Sequence, residues 1–249
     1  MEIKIRAAES THWYTREGVP MYTVTGKNGL ERNTTLRDAR TMDLVPSVTT
    51  ILNVVAKPGL DAWKQRQLLL AALTLPRNED EAESDYLDRI ISDSREQGKQ
   101  AAAQGTDIHE AIQRFYENKP HDYVDTVWSC DTQITQAFGD QKWIAERSFA
   151  HELGFGGKVD LHCDNVVLDI KTKDFFDLDK VEAYDEHLMQ LAAYRVGLGL
   201  PEAQCANVFV SRKVVGLTKI IEWTEKDLQR GWKMFLNLLQ YWQERNQHS

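Results

Sequence analysis

The sequence predicts an α/β fold, with a central mixed sheet flanked by helices and a mostly helical N-terminal elaboration. Residues 142–173 contain three consecutive segments that read as β-strands, separated by glycine and Asp-Asn turn signals. A helical pattern over about 180–198 and a further strand at 204–213 follow them. The order helix, three strands, helix and strand is typical of an α/β sandwich.

The N-terminal region, residues 1–97, is predicted to contain a hairpin and several helices. Loose alternation over 3–25, with turn signals at 18–20 and 26–29, indicates a small β hairpin or meander. Ser47 follows Pro46 and fits the N-cap position of a short helix. Further helices are expected at 60–74, at 80–117 with an interruption near Gly98 or Gly105, and at 123–140.

The second predicted region, residues 98–249, forms one compact core. Its strands are expected at 142–153, 154–163, 165–173, 204–213 and 218–224. Its helices include 180–198 and an amphipathic helix that ends at about 245.

Composition and charge limit the function only broadly. The chain has 249 residues, of which 42% are hydrophobic, enough for one large domain or a core with an elaborated end. A formal net charge of −8 argues against a general electrostatic attraction to nucleic acid, but it leaves room for a local basic groove.

The cysteine spacing and the lack of a recognisable secretory signal indicate a cytoplasmic protein of a bacterial or phage-infected cell. Cys130, Cys163 and Cys205 lie far apart and form no CxxC pair, so neither a zinc site nor a disulfide framework is indicated. No apolar run approaches the ~20 residues that span a bilayer. The N-terminus, MEIKIRAAES, has no apolar signal region, and we expect no secretion.

Charged residues interrupt two of the predicted core strands. Asp169 lies inside the apolar segment VVLDI, and Lys171 projects from the same face of that strand. Asp160 lies on the preceding strand, where opposed side chains are ~5 Å apart. Two carboxylates at roughly 4 Å repel each other by ~4 kcal/mol at an effective dielectric of ~20. Lys171 offsets part of this repulsion, and a divalent cation such as Mg²⁺ would offset more. The alternative is a structural ion-pair cluster or a solvated sheet edge.

Two helical patterns accompany these strands. His109 lies four residues after Gly105, on the same helix face, where glycine permits a strand or ligand backbone to approach closely. Gln190 and Tyr194 form a second i, i+4 pair. Each has a simpler interpretation, His109 as a packed or surface histidine and the second pair as ordinary helix surface. HEAIQ is not a zincin motif, because Gln113 stands where the second histidine is required.

In this order the residues resemble the RecB-like branch of the PD-(D/E)XK nucleases. The matching positions are Gly105 and His109, Glu146, Gly157 and Asp160, Asp169 and Lys171, and Gln190 and Tyr194. The upstream segment PSVTTIL (46–52), with Leu60 and Trp63, is similar to the mitochondrial genome maintenance exonuclease group and related phage and bacterial single-strand exonucleases. The resemblance spans roughly residues 46–213.

The resemblance implies a restriction-endonuclease-like core and a metal centre. Mg²⁺ or Mn²⁺ would be bound by His109, Asp160, Asp169 and the main-chain carbonyl of Ile170. Lys171 would act on the attacking water, and Glu146 would lie near the metal. Four cysteines hold the cluster in iron–sulfur members of the branch, so with three we expect no iron–sulfur cluster.

The resemblance also implies contacts with DNA. Gln190 and Tyr194 would contact DNA or brace the lysine, and Gly105 would allow close approach. Ser47 and Thr49, at a helix N-terminus, would hold a phosphate, with simple capping as the alternative. Trp63 is either a core residue or a base-stacking platform.

The predicted function is a Mg²⁺-dependent DNA exonuclease that prefers single strands with free ends and acts in DNA repair, recombination or replication. Residues 1–97 would cover the active site and admit only a thin strand. One alternative is a duplex-resecting exonuclease or structure-specific endonuclease, and another is a catalytically inert DNA-binding module. The expected partners are DNA and recombination or replication proteins, with no membrane, and a monomer is favoured.

Overall fold

A five-stranded sheet organises residues 12–248, the part of the chain that the computed structural model describes. The N-terminal half contains, in chain order, β1 (Trp13–Tyr14), β2 (Thr23–Thr25), β3 (Glu31–Asn33), α1 (Leu36–Met42), β4 (Val45–Pro46), α2 (Val48–Leu52), α3 (Pro58–Thr74), α4 (Glu83–Tyr116) and α5 (Val124–Phe138). The C-terminal half contains β5 (Ile144–His151), β6 (Phe155–His162), β7 (Val166–Lys173), a 3₁₀ turn (Leu178–Lys180), α6 (Asp185–Gly197), β8 (Gln204–Ser211), β9 (Thr218–Trp223) and α7 (Glu225–Asn246).

The strand order of the central sheet is β5-β6-β7-β8-β9. Strands β7 and β8 are parallel, and the other neighbours are antiparallel. The parallel pair is joined through α6, because strands that run the same way need a crossover connection. The predicted mixed sheet flanked by helices is confirmed, and its five strands lie at the predicted positions along the chain.

Helices cover both faces of the sheet. Apolar residues of α4 and α5, such as Ile108 and Ile134, pack against Leu168 and Ile170 of β7. On the other face, α2, α6 and α7 pack against Val167. Since side chains alternate along a strand, Asp169 and Lys171 share the face of Val167 and project toward α6.

The predicted interruption of the long helix near Gly98 or Gly105 is wrong, because α4 runs without a break for 34 residues. Glycine in a helix interior costs only about 1 kcal/mol relative to alanine. At Gly105 the missing side chain has a packing reason, since a Cβ there would lie 2.6 Å from Thr172 Oγ1. The proposed boundary between residues 97 and 98 falls inside this helix.

The N-terminal elements contribute to the same core as the sheet. Strand β1 pairs with β4, and β2 pairs with β3 in a hairpin. Trp13, Val48 and Ile51 belong to the apolar cluster that includes α6 and α7. Part of the hairpin or meander predicted over 3–25 lies outside the described residues. No helix within residues 12–248 combines the length and apolar composition needed to cross a membrane.

Candidate functional site

The candidate site lies where β6 and β7 separate. These strands pair at Leu161–Leu168 and His162–Val167. Beyond these pairs, the backbone of Ile170 is satisfied by side chains: its N–H donates to Asp160 Oδ2 at 2.6 Å, and its carbonyl lies 2.6 Å from His109 Nε2. Buried backbone groups need partners. Asp160 and His109 therefore replace the backbone pairing that β6 would otherwise supply.

The contact with Ile170 fixes which nitrogen of His109 carries a proton. A carbonyl only accepts, so Nε2 is the donor, and in the neutral ring the lone pair lies on Nδ1. Nδ1 faces Asp160 Oδ1 at 3.9 Å, which is too long for a hydrogen bond. In the neutral ring these are two acceptors that face each other, and either a proton on Nδ1 or a metal ion between them stabilises the pair. This feature of the geometry is compatible with an ion here.

Asp169 is held by two neighbours. Its carboxylate is 1% exposed, and Oδ1 accepts from Lys171 Nζ at 2.6 Å. Oδ2 accepts from Asn207 Nδ2 at 2.7 Å, and Asn207 Oδ1 accepts from Trp223 Nε1 at 2.8 Å. Asn207 is the residue of β8 that pairs with Asp169 in the sheet. The carboxylate therefore has a defined orientation before any ligand binds.

Burial and mutual repulsion perturb the charged groups of the site. Burial raises the pKa of Asp160 to about 6; His109 and Lys171 oppose the rise, and Asp169 adds to it. Burial alone would lower the pKa of Lys171, but Asp169 and Asp160 outweigh it, and the pKa is raised. Lys171 is therefore a firmly charged ammonium, while Asp160 is the carboxylate that gains most from an additional cation.

Glu146 lies opposite Asp160 in the pairing of β5 with β6. The flanking pairs are Ala145–Leu161 and Arg147–Val159. Glu146 has a φ of 56°, a left-handed conformation that is costly for a residue other than glycine. Its side chain forms an ion pair with Lys158. His109, Glu146 and Lys158 line one polar cleft of about 470 Å³.

Gln190 and Tyr194 are buried, so their interpretation as ordinary helix surface is wrong. Gln190 Nε2 donates to the Tyr194 hydroxyl at 2.9 Å. The Tyr194 ring lies against Gly157, where a Cβ would approach it to 2.9 Å. The pair thus supports β6 three residues before Asp160. A contact with DNA or Lys171 stays a prediction.

The remaining predicted residues occupy structural positions. Ser47 is the N-cap of α2, where its Oγ accepts from Thr50 N at 3.0 Å and lies 2.9 Å from Thr49 Oγ1. The capping role is confirmed, and phosphate binding by Ser47 and Thr49 stays a prediction. Gly105 packs against Thr172. Trp63 is only partly buried and faces Gly98, so it is not a core residue.

The donor set has the chemistry that Mg²⁺ or Mn²⁺ requires, but its members are engaged with protein groups. Within residues 12–248, no three His, Cys, Asp or Glu side chains converge as a metal-binding group. Asp169 bonds to Lys171 and Asn207, and the Ile170 carbonyl bonds to His109. The Asp169 oxygens each keep a lone pair for an ion, whereas the Ile170 carbonyl and His109 can share an ion only if the hydrogen bond between them is broken. Carboxylate and carbonyl oxygens suit these ions, whereas the His109 imidazole is a donor more typical of zinc, iron, copper or nickel.

Asn207 and Trp223 are the residues of the site that sequence reasoning missed. The signal for Asn207 was present, because it is a polar residue inside the apolar strand QCANVFVS. The same kind of signal identified Asp169. No local signal marks Trp223, whose indole reaches Asn207 from the edge strand β9.

Comparisons with known proteins give only distant similarities. The crystal structure of SSO0001 matches with a TM-score of 0.32 and 16% identity, over 72% of this chain and 86% of that one. An alkaline exonuclease (LHK-Exo) from Laribacter hongkongensis matches with a TM-score of 0.30 and 14% identity, over 47% of this chain and 68% of that one. No protein-family model matches the chain, and no curated protein matches it.

Proposed function

We propose that the chain is a metal-dependent nuclease with a PD-(D/E)XK core that hydrolyses phosphodiester bonds in DNA. The observation that supports this function is the arrangement around Ile170. There His109 and Asp160 contact the backbone of Ile170, and its neighbours in β7, Asp169 and Lys171, are hydrogen-bonded to each other. The alternative is a structural ion-pair cluster, in which Lys171 pairs with Asp169 and a protonated His109 pairs with Asp160.

Each residue has a distinct role in the proposed reaction. His109, Asp160, Asp169 and the Ile170 carbonyl would hold Mg²⁺ or Mn²⁺, and His109 and that carbonyl would share the ion only after the hydrogen bond between them is broken. When bound, such an ion polarises a phosphoryl oxygen and lowers the pKa of bound water. Lys171 orients the attacking water and stabilises negative charge that develops on the phosphate. Asp169 keeps the Lys171 ammonium in place through their 2.6 Å hydrogen bond. Glu146 would lie near the metal, on the strand next to that of Asp160.

The substrate we favour is single-stranded DNA with free ends. The beginning of α3 supports this choice, because Gly59 and Trp63 line a cleft together with Lys173, at the end of the strand that carries Lys171. A helix in this position leaves room for a thin strand and obstructs a duplex. Repair, recombination or replication is the corresponding process, and proteins of those processes are the expected partners.

The decisive experiment is cleavage of end-labelled single-stranded DNA in Mg²⁺, with EDTA as the blank. Lys171→Ala is expected to lower the rate at least about a hundredfold, the order of effect for one preorganised charge-stabilising group. The matched control is Lys233→Ala, at an exposed position of α7. Equal rates for Lys171→Ala and wild type contradict the assignment, and no cleavage by wild type favours an inert binding module.

Substrate geometry is tested with three DNAs at equal nucleotide concentration: linear single strands, blunt duplexes and covalently closed single-stranded circles. We expect linear single strands to be cut fastest. Cleavage of circles at the same rate contradicts the requirement for ends. Faster cleavage of blunt duplexes favours a duplex-resecting enzyme.

A further inference from the structure

A second cleft adjoins the candidate site, at the C-terminal end of β7. It has a volume of about 480 Å³ and lies between the start of α3, the middle of α4 and the segment that leads into α6. Lys173, on the wall of the cleft, follows Lys171 by two residues and therefore projects from the same face of the strand. A chain bound at Lys171 that continues along this face enters the cleft.

Three aromatic residues line the cleft, and of these Phe175 is buried, whereas Tyr184 and Trp63 are partly accessible. Tyr184 is 43% exposed although its ring is large and apolar. The start of α3 lies directly against it, because a Cβ at Gly59 would be 3.1 Å from the Tyr184 hydroxyl. Trp63, one turn further along α3, lies beside Gly98 of α4, where a Cβ would be 3.9 Å from the indole. The cleft thus presents flat apolar surfaces to whatever occupies it.

The cleft also contains a lysine, Lys173, that has no direct ion pair within the described residues, and Glu186 and Glu182 of the cleft wall act on it at longer range. Lys173 Nζ donates to the Glu182 carbonyl at 2.9 Å and lies 4.6 Å and 4.8 Å from the ring centroids of Tyr184 and Phe209. Among residues 12–248, no carboxylate lies within ion-pair distance of it. Arg212, another cation of the cleft wall, is paired with Asp174 at 2.8 Å. In the part of the chain that the structure describes, Lys173 and Lys180 are therefore the cations of the wall without an ion-pair partner, and Asp174, Glu182 and Glu186 are the acids that share it.

We propose that this cleft binds the nucleotide next to the scissile phosphate, with its base against Tyr184 and Trp63 and its phosphate at Lys173. The proposal rests on the nuclease function proposed above and extends it to a base-binding site. Stacking on aromatic rings tolerates every base, so the cleft would select an unpaired nucleotide and not a sequence. Its volume lies in the range of pockets that enclose small ligands.

Binding of a dye-labelled oligothymidylate in EDTA tests the proposal without competing hydrolysis. Tyr184→Ala is expected to weaken binding about tenfold, the scale of one lost stacking contact. Tyr184→Phe keeps the ring and is expected to bind like wild type. Tyr241→Ala, which removes a 51% exposed tyrosine of α7, is the matched control and is expected to change nothing. Melting temperatures verify that each variant is folded.

Strands that lack one base at a time provide the sharper measurement. When the missing base is the one that would occupy the cleft, binding to wild type should weaken about tenfold. Binding of the same strand to Tyr184→Ala should not change, because that variant has already lost the stacking contact. The proposal is overturned if wild type fails to bind at millimolar strand concentration, or if Tyr184→Ala binds as tightly as wild type. Binding that needs Tyr184, without cleavage in Mg²⁺, keeps the cleft and rejects the nuclease. Cleavage without any dependence on Tyr184 rejects the cleft alone.

Discussion

Asn207 and Asp169 form a buried hydrogen bond of 2.7 Å between neighbouring positions of β8 and β7. Asn207 is 0% exposed and Asp169 is 1% exposed. An isolated buried carboxylate is strongly unfavourable, whereas a carboxylate with a donor on each oxygen is tolerated. Asn207 occupies one oxygen and Lys171 the other. The orientation of the proposed metal ligand is therefore determined by the sheet and not by the ion.

Asn207→Ala is expected to lower the free energy of unfolding by about 2 kcal/mol, because it removes a hydrogen bond to a charged group. Trp223→Phe removes only the neutral bond to Asn207 and should cost about 1 kcal/mol. Urea denaturation in EDTA measures both. The contact is tested in a double-mutant cycle with Asp169→Ala. If Asn207→Ala costs the same in both backgrounds, the two residues are not coupled.

Much of the fold was predictable because it follows from local patterns. The strands around Asp160 and Asp169 have apolar residues bounded by turn signals, and both are present within a few residues of the predicted limits. The uninterrupted α4 was not predictable from local sequence. Gly105 reads as a helix breaker, and only the contact with Thr172 on a distant strand gives it a packing role.

The position of Glu146 was not predictable because the strand alternation changes phase there. Along β6, Val159 packs in the cluster with α6, whereas Leu161 packs in the cluster with α4. Along β5, Phe149 and Ala145 differ in the same way. A period of two would place each pair on one face. The positive φ of Glu146 lies at this switch, so a period-two pattern cannot give its register.

Substitution of Glu146 separates backbone strain from function. Glu146→Gly and Glu146→Ala both remove the ion pair with Lys158, but only glycine accepts the φ of 56° without strain. We expect the glycine variant to be about 1 kcal/mol more stable than the alanine variant in urea denaturation. Both should lose nuclease activity. If the more stable glycine variant keeps its activity and only the alanine variant loses it, the Glu146 carboxylate has no functional role.

Two glycines of α4 should respond in opposite ways to alanine. Gly105→Ala places a Cβ 2.6 Å from Thr172 Oγ1 and is expected to cost about 1–3 kcal/mol by overpacking. Gly98→Ala meets only ordinary contacts with Trp63 and should stabilise the helix by up to about 1 kcal/mol. Thermal denaturation compares them. Adding Thr172→Ala should restore most of the loss in Gly105→Ala. No restoration contradicts the steric explanation.

The buried His187 gives stability a defined dependence on pH. Burial lowers its pKa from 6.5 to about 4, with Lys171, Lys173 and Lys57 adding to the effect and Asp169 opposing it. Below pH 6.5 His187 becomes protonated in the unfolded chain, whereas in the folded chain it becomes protonated only at about pH 4. The stability that neutral His187 contributes is therefore fully present above pH 6.5. As the pH falls toward 4, the free energy of unfolding decreases by about 3 kcal/mol in all.

His187→Gln is the variant that isolates this effect. Gln provides an acceptor for the Tyr184 N–H, which His187 Nδ1 accepts at 3.0 Å, but it does not titrate. Urea denaturation at pH 7 and pH 4.5 gives the decline in stability for each protein. We expect the decline to be smaller in the variant by about 2 kcal/mol. Equal declines mean that the pKa of His187 is the same in the folded and unfolded chains, which contradicts a lowering by burial.

A thermal titration with Mn²⁺ tests the metal site apart from activity. An ion that binds only the folded chain stabilises it by about 2.7 kcal/mol at a hundredfold excess over Kd, which for a chain of this size raises Tm by roughly 5–10 °C. Asp160→Asn should remove the increase, since it removes the charge. It keeps an oxygen for the Ile170 N–H, now bound by Asp160 Oδ2 at 2.6 Å, so the strand junction should survive.

The matched control for this titration is Asp131→Asn. Asp131 lies on α5, where its Oδ1 accepts from the Tyr116 hydroxyl at 3.0 Å, so the substitution also exchanges a carboxylate for an amide that can keep the bond. This variant should show the full increase in Tm. If Asp160→Asn shows it as well, the ion binds elsewhere. Asp160 would then serve only to terminate the pairing of β6 with β7, and the separation of these strands would need no metal to explain it.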